Sequence, residues 1–187
     1  AMMREGDKEE SDRRGFRPLV YETGTDGLPI YGDLRLTAQL IGQEARVELE
    51  SFTTHGRENH DLRNAQNRMS REGWELAILD PGAGELDPLL PKLEKLSDAW
   101  LESKKTRERG FALGSFDPGY LKQFPLAVVR REDEIIAFAN LWETRDREES
   151  SVDLMRHDPG APAQTMDFLF LKLIERARAE GFRWFNL

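Results

Sequence analysis

Apolar residues return at every third or fourth position between Leu89 and Thr106. Leu89, Leu93, Leu96, Trp100 and Leu101 form one stripe, and that spacing predicts a helix with a single apolar face. Gln164 to Glu180 repeats the pattern, with Phe168, Leu171 and Ile174 on the apolar side and Gly181 at its end. Asp61 to Glu72 holds neither Gly nor Pro and stops at Gly73, the residue expected just past a helix C-terminus. Elsewhere the period drops to two. Arg46-Val-Glu-Leu-Glu50 alternates strictly, and Trp74 to Leu79 is a second strand candidate. Leu126 to Arg130 and Glu134 to Trp142, joined by Arg131-Glu-Asp133, read as a β-hairpin, and Ser150 to Met155 follows as a third strand. Short strands are also expected at Arg17 to Glu22 and from Phe182 onward, and a short helix at Leu28 to Leu34. Gly24 to Gly27, Asp80 to Gly84 and His157 to Pro162 are turn or loop clusters, and Gly110, Gly114 and Pro118 interrupt the chain.

From Leu89 the order is helix, short helix, three strands, helix, strand. That predicts an α+β fold: an antiparallel meander over residues 126–155 with the 164–180 helix packed on it. Val128, Ile136, Phe138 and Val152 are expected to line the core, with Trp100, Trp142, Phe168 and Phe170 also inside. This is the element order of the GNAT acyltransferase fold, although several α+β folds share it. Residues 1–15 are charged and without periodicity, which points to a disordered leader. The last strand breaks off within an apolar run, so partner elements are expected to be missing.

The composition narrows the chemistry. A chain of 187 residues, 39% hydrophobic with four Trp and ten Phe, can bury a core despite being 33% charged. The absence of Cys excludes disulfides, thiolate metal sites and thiol nucleophiles. Three His, with no HExxH or paired spacing, argue against a His-based metal centre. No apolar run approaches 18 residues and the start has no signal-peptide core, so a soluble cytosolic piece is the default expectation. A net charge of −8 argues against nucleic-acid binding by the molecule as a whole. The basic residues, however, are clustered: Arg57, Arg63, Arg68 and Arg71 on or beside the first long helix, and Lys104, Lys105, Arg107 and Arg109 after the second.

Several words in the chain are more specific than its composition. Leu96-Ser-Asp-Ala-Trp-Leu101, Arg109-Gly-Phe-Ala-Leu-Gly114, Ile136-Ala-Phe-Ala-Asn-Leu-Trp142, Ser151-Val-Asp-Leu-Met-Arg156 and Arg183-Trp-Phe-Asn-Leu187 occur in order. Together with Asp61-Leu-Arg-Asn-Ala-Gln-Asn-Arg68, they resemble the C-terminal catalytic domain of bacterial aminoacyl-phosphatidylglycerol synthases, the multiple peptide resistance factor family. The resemblance covers roughly residues 16–187. It implies two GNAT-like units in tandem, with residues 16–73 as the tail of the first plus a basic connecting helix, and 74–187 as a truncated second unit. It further implies transfer of an aminoacyl group, lysyl being the leading expectation, from aminoacyl-tRNA to phosphatidylglycerol, which alters membrane surface charge and cationic-peptide resistance. No cofactor is implied. The family's membrane-embedded N-terminal part would hold this piece at the cytoplasmic face of the bacterial inner membrane.

Asp153 and Arg156 are the catalytic candidates. Attack on an aminoacyl ester passes through an oxyanion that a guanidinium stabilises. A carboxylate can hold the substrate's ammonium or accept the proton of the attacking hydroxyl. The alternative is a strand-end salt bridge. In a regular strand Asp153 and Arg156 point to opposite faces, so a bulge or a strand end is needed to bring them together. Arg63, Arg68, Lys104, Lys105 and Arg107 are the candidate tRNA- or lipid-phosphate contacts. The alternatives are a solvated helix face for the first group and cations complementing a helix dipole for the second. The His157–Pro162 loop sits where CoA-dependent relatives place a glycine-rich pyrophosphate loop. Here it carries Asp158 and two prolines, which speaks against CoA. Three other functions stay open: a CoA-dependent transferase, a peptidoglycan-building aminoacyl-tRNA transferase, and a non-catalytic lipid- or tRNA-docking module.

Overall fold

The computed structural model describes residues 10–17, 19–20, 23–107 and 114–187. The chain divides into two compact units, residues 1–43 and 44–187. In the first, a 3-10 turn at Thr25–Gly27 leads into α1 (Leu28–Asp33), which has Pro29 in its first turn and a buried Tyr31. Residues 10–13 are helical where the sequence pointed to an unstructured leader, and the Arg14 guanidinium pairs with Glu10 one turn back at 2.6 Å. Of the strand expected at Arg17 to Glu22, Pro18, Tyr21 and Glu22 lie outside the described residues. Arg17, Leu19 and Val20 form no strand.

The second unit runs β1 (Arg46–Glu48), α2 (His60–Arg71), β2 (Glu75–Leu79), α3 (Leu90–Ser103), α4 (Pro118–Leu121), β3 (Leu126–Arg131), β4 (Glu134–Glu143), β5 (Glu149–His157), α5 (Thr165–Ala179) and β6 (Trp184–Asn186). Gly73 ends α2 as the sequence predicts. It adopts φ +85°, its N–H bonds the Ser70 carbonyl, and the Trp74 N–H bonds Met69, closing the helix with its last carbonyls satisfied.

The sheet order is β1-β6-β5-β4-β3-β2. β2 to β5 are antiparallel neighbours, and β6 returns parallel to β5 after the α5 crossover. β6 is hydrogen-bonded on both sides, to β5 and to β1. This is the mixed, antiparallel-rich sheet flanked by helices that the element order predicts.

Alternation along the strands splits the core in two. On one face Ala127, Val129, Ala137 and Ala139 meet Met69 of α2 and Phe168 and Leu169 of α5. On the other, Val128, Phe138 and Leu154 meet Leu93 and Leu96 of α3 and Leu121 of α4. Small Ala and Val on the strands let the helices approach closely, and burial of large side chains such as Phe138, Phe168 and Phe185 supplies most of the driving force. Val128, Ile136 and Phe138 are buried as expected, and Val152 is half-buried. Trp142, expected inside, is 45% exposed. It stands near the end of β4 with its indole N–H turned to the Tyr120 hydroxyl instead of into the core. No helix among the described residues is long and apolar enough to cross a membrane.

Candidate active site

The register of β4 against β5 decides where Asp153 and Arg156 point. Ala139 stands opposite Met155 and Leu141 opposite Val152, so Asp153 and Leu154 together face the single residue Asn140. One extra residue on β5 is a β-bulge, and it resets the alternation. Val152 and Met155, three residues apart, both pack toward α2 and α5. Leu154 packs toward α3 and α4, and Arg156 lies opposite Phe138 on that same face. Asp153 reaches Gly114 and Tyr120, which precede and form α4. The bulge thus brings the carboxylate and the guanidinium onto one face of the sheet.

α4 is built to present Tyr120. The Asp117 carboxylate caps the helix by accepting the Tyr120 N–H at 2.6 Å, and Pro118 opens the first turn. The Tyr120 hydroxyl donates to Asp153 Oδ2. It accepts in turn from Asn140 Nδ2 at 3.3 Å and from Trp142 Nε1 at 3.1 Å. The other carboxylate oxygen, Asp153 Oδ1, accepts the Gly114 N–H at 2.9 Å. Asn140 is wholly buried, and its Oδ1 accepts the Leu154 N–H at 2.7 Å, so one side chain ties the bulge to the tyrosine. Burial first, and the hydrogen bond to Asp153 second, raise the Tyr120 pKa above 10, so the phenol is a neutral donor at physiological pH. Phe124 packs edge-on against Tyr120 at 5.1 Å and beside Trp142 at 6.1 Å.

Arg156 is 9% exposed. Its guanidinium lies 4.3 Å from the centre of the Trp100 ring on α3, and its Nη1 donates to the Met155 carbonyl at 2.9 Å. Lys104 Nζ lies 5.9 Å from the same ring, so Trp100 links the buried arginine to the basic end of α3. Lys105 follows in the left-handed region at φ +51°, and Arg107 is exposed. Lys104, Lys105 and Arg107 form no ion pair among the described residues, while Glu108 and Arg109 lie outside them.

The α2 arginines are not equivalent. Arg63, one of the candidate phosphate contacts, turns onto the preceding loop and donates to the carbonyls of Thr54 and Gly56. Arg68 pairs with Glu72 at 3.0 Å and lines a recess with Asn64, Asn67, Arg71 and Glu72. In the β5–α5 loop three backbone donors are bonded internally. The Asp158 N–H bonds Ile136, the Gly160 N–H bonds Asp158 Oδ1 at 2.6 Å, and the Ala161 N–H bonds the Asp158 carbonyl. Pro159 and Pro162 contribute no donor, so the loop offers a carboxylate where a phosphate cradle would need free N–H groups.

Sequence reasoning singled out Asp153 and Arg156 as candidates, and it passed over Tyr120, Gly114, Asn140 and the indole N–H of Trp142, which the structure places around Asp153. One signal was available: Asp117-Pro118 is a helix start, and it places Tyr120 in a first turn instead of a break. No local pattern marks Asn140, because its partners come from α4 and from the bulge.

Topology and site together define a mixed α/β domain with an antiparallel-rich sheet, whose polar centre sits on a bulged central strand. The chain belongs to the family of phosphatidylglycerol lysyltransferase C-terminal domains, whose model matches residues 7–187. It is 38% identical over 179 residues to a phosphatidylglycerol lysyltransferase of Bacillus subtilis (strain 168), and 28% identical over 177 residues to that of Staphylococcus haemolyticus. These matches take in 95% and 94% of this chain but 20% and 21% of the relatives, so the chain spans about a fifth of their length. Among solved structures it is similar to L-PGS from Bacillus licheniformis, with TM-score 0.87 and 33% identity over 96% of this chain and 56% of that one. It is equally similar to the C-terminal domain of a putative lysylphosphatidylglycerol synthetase from Agrobacterium fabrum, with TM-score 0.86, 34% identity and the same coverage.

Proposed function

We propose that this chain is the catalytic part of an enzyme that transfers an aminoacyl group, most simply lysyl, from aminoacyl-tRNA to phosphatidylglycerol. The observation that carries this is the β5 bulge, which sets Asp153 and Arg156 on one face beside an open aromatic side chain. In the proposed reaction the glycerol hydroxyl of the lipid attacks the aminoacyl ester carbonyl. A C–O bond to the lipid forms, the C–O bond to the tRNA ribose breaks, and the lipid's hydroxyl proton ends on the departing ribose oxygen. Arg156 stabilises the oxyanion of the tetrahedral intermediate. One ester replaces another, so the chemistry calls for neither redox cofactor nor metal.

The names of the relatives support the lysyl group and the lipid acceptor. The internal bonds of the Asp158, Gly160 and Ala161 N–H groups, with the carboxylate of Asp158 in the loop, favour a donor other than CoA. Lys104, joined to Arg156 through Trp100, together with Lys105 and Arg107 that follow it in the chain, suits the phosphates of tRNA or of the lipid headgroup, with Arg68 a separate contact on α2 and Arg63 a brace for its own loop. In the whole protein this domain would work at the cytoplasmic membrane surface. Residues 16–73 would belong in part to a preceding GNAT-like unit, a reading supported by the exposed Phe16, Leu19, Leu40 and Ile41.

The test is a donor and acceptor comparison with the complete protein. Charged tRNA should yield aminoacyl-phosphatidylglycerol, acetyl-CoA should yield nothing, and phosphatidylethanolamine should be a poor acceptor. Acetyl transfer without aminoacyl transfer would overturn the proposal.

A further inference from the structure

We propose that Trp100 is a positioning residue for Arg156: its ring is the platform that holds the guanidinium in a fixed orientation without occupying any of its hydrogen-bond donors. This rests on the reading of Arg156 as the oxyanion donor.

An arginine that is to meet charge developing in a transition state has to be held before that charge appears. A carboxylate partner would hold it, but would occupy its N–H edge. An aromatic ring holds it differently. The attraction acts through the flat face of the guanidinium, whereas its donors lie in its plane. Here the Arg156 guanidinium carbon stands over the Trp100 ring, 4.3 Å from its centre. Nη1 donates to the Met155 carbonyl at 2.9 Å, and that bond restrains rotation within the plane. Ring and carbonyl together define both the plane and the direction of the donor edge. Arg156 is buried, which strengthens its attraction to the ring.

The platform is itself held. Leu96 and Leu93, one and two turns before Trp100 on α3, are buried in the Val128–Phe138 side of the core. Trp100 continues their stripe. Its carbonyl accepts the Lys104 N–H at 3.1 Å and the Ser103 hydroxyl at 2.7 Å. Lys105 then turns left-handed, and the Thr106 N–H bonds the Leu101 carbonyl, so the helix is closed just beyond the ring. Trp100 is half-buried and carries two cations, Arg156 and, at 5.9 Å, the Lys104 ammonium, so its ring does more than fill the core.

Two measurements test the platform. The first needs no transfer reaction. In nitrogen-15 NMR spectra of the full chain, the Arg156 Nε–H is assigned by its loss in Arg156→Lys. The ring current of Trp100 should displace it upfield, and it should exchange slowly with water. Trp100→Leu keeps an apolar side chain and should abolish the displacement and speed exchange by about tenfold or more, as for a polar group released from a closed site. Trp100→Phe should keep a reduced displacement. The second measurement is transfer by the complete protein, normalised to folded enzyme. Trp100→Leu should lower kcat by about three- to thirtyfold, the range spanned by a desolvated cation–π contact, with KM for charged tRNA nearly unchanged. Trp100→Phe should recover most of that loss. In an Arg156→Ala background Trp100→Leu should cost little more, because the ring acts through the arginine. An unaltered Arg156 resonance in Trp100→Leu, full kcat per folded molecule, or an equal loss with and without Arg156 would overturn the platform. If Trp100→Leu does not fold, Trp100→Phe decides, and an unchanged Arg156 displacement there would overturn it as well. If the resonance behaves as described but the complete parent protein transfers nothing from charged tRNA, the platform stands and the proposed reaction falls.

Discussion

Gly114 has no room for a side chain. A Cβ there would collide with Asp153 Oδ2 and lie 3.0 Å from the Tyr120 ring, so Gly114→Ala must displace the carboxylate from its place. We expect that substitution to lower transfer by about tenfold or more, the scale of a lost positioned carboxylate. The melting temperature should move little, because the clash is confined to a half-buried polar site. Thermal melts run alongside the transfer assay check both halves. Tyr120 makes a separate prediction in pH. Its folded pKa lies above the unfolded value near 10, so the neutral phenol is favoured in the native state. The stability this contributes is complete below pH 10 and is lost as pH rises through the folded pKa. Urea midpoints measured from pH 9 to 11 should therefore fall less steeply for Tyr120→Phe than for the parent. At this scale Asp153 and Arg156 were legible as candidates, from the chemistry their side chains offer. Tyr120 was not, because its meaning comes from a contact across 33 residues of chain.

The bulge in β5 is the element on which the site depends, and Asn140 is what holds it. With the Asn140 amide removed, the buried Leu154 N–H loses its partner and Tyr120 loses a donor. Asn140→Ala should cost about 1–3 kcal/mol of stability, the scale of an unsatisfied buried group, measurable by urea unfolding. If the bulge slips, Asp153 rotates to the opposite face, so activity per folded molecule should fall as well. Helix α2 carries a simpler prediction. Gly73 at φ +85° closes it, and Gly73→Ala should cost about 1 kcal/mol through backbone strain alone. Helices and the meander were legible because their apolar periods are clean and their ends carry glycine or proline. The bulge was not: Val152, Asp153, Leu154 and Met155 read as ordinary alternation, with no glycine to mark the irregularity. Only pairing with β4 reveals that two residues share one partner.

For the whole molecule, the net charge of −8 is at odds with a polyanionic donor, and the placement of charge eases the conflict. Many arginines are neutralised where they stand: Arg130 by Glu75, Arg131 by Glu134, Arg176 by Glu143 and Glu180. Lys104, Lys105 and Arg107 escape such pairing among the described residues, and Lys104 stands over the Trp100 ring that also carries Arg156. Binding to tRNA or to anionic vesicles should therefore be weak, local and steeply salt-dependent. Replacing these three cations together by Gln should flatten the salt slope, and an unchanged slope would remove them from the site. The account as a whole turns on Asp153 and Arg156 acting together from one face of the sheet. It is tested most directly by lysyl transfer from charged tRNA to phosphatidylglycerol, measured in the complete protein for Asp153→Ala and Arg156→Ala and normalised to folded enzyme. Each should lose about a hundredfold or more while remaining folded, as expected when an oxyanion donor or a positioned carboxylate is removed. Near-normal transfer per folded molecule by either variant would contradict it.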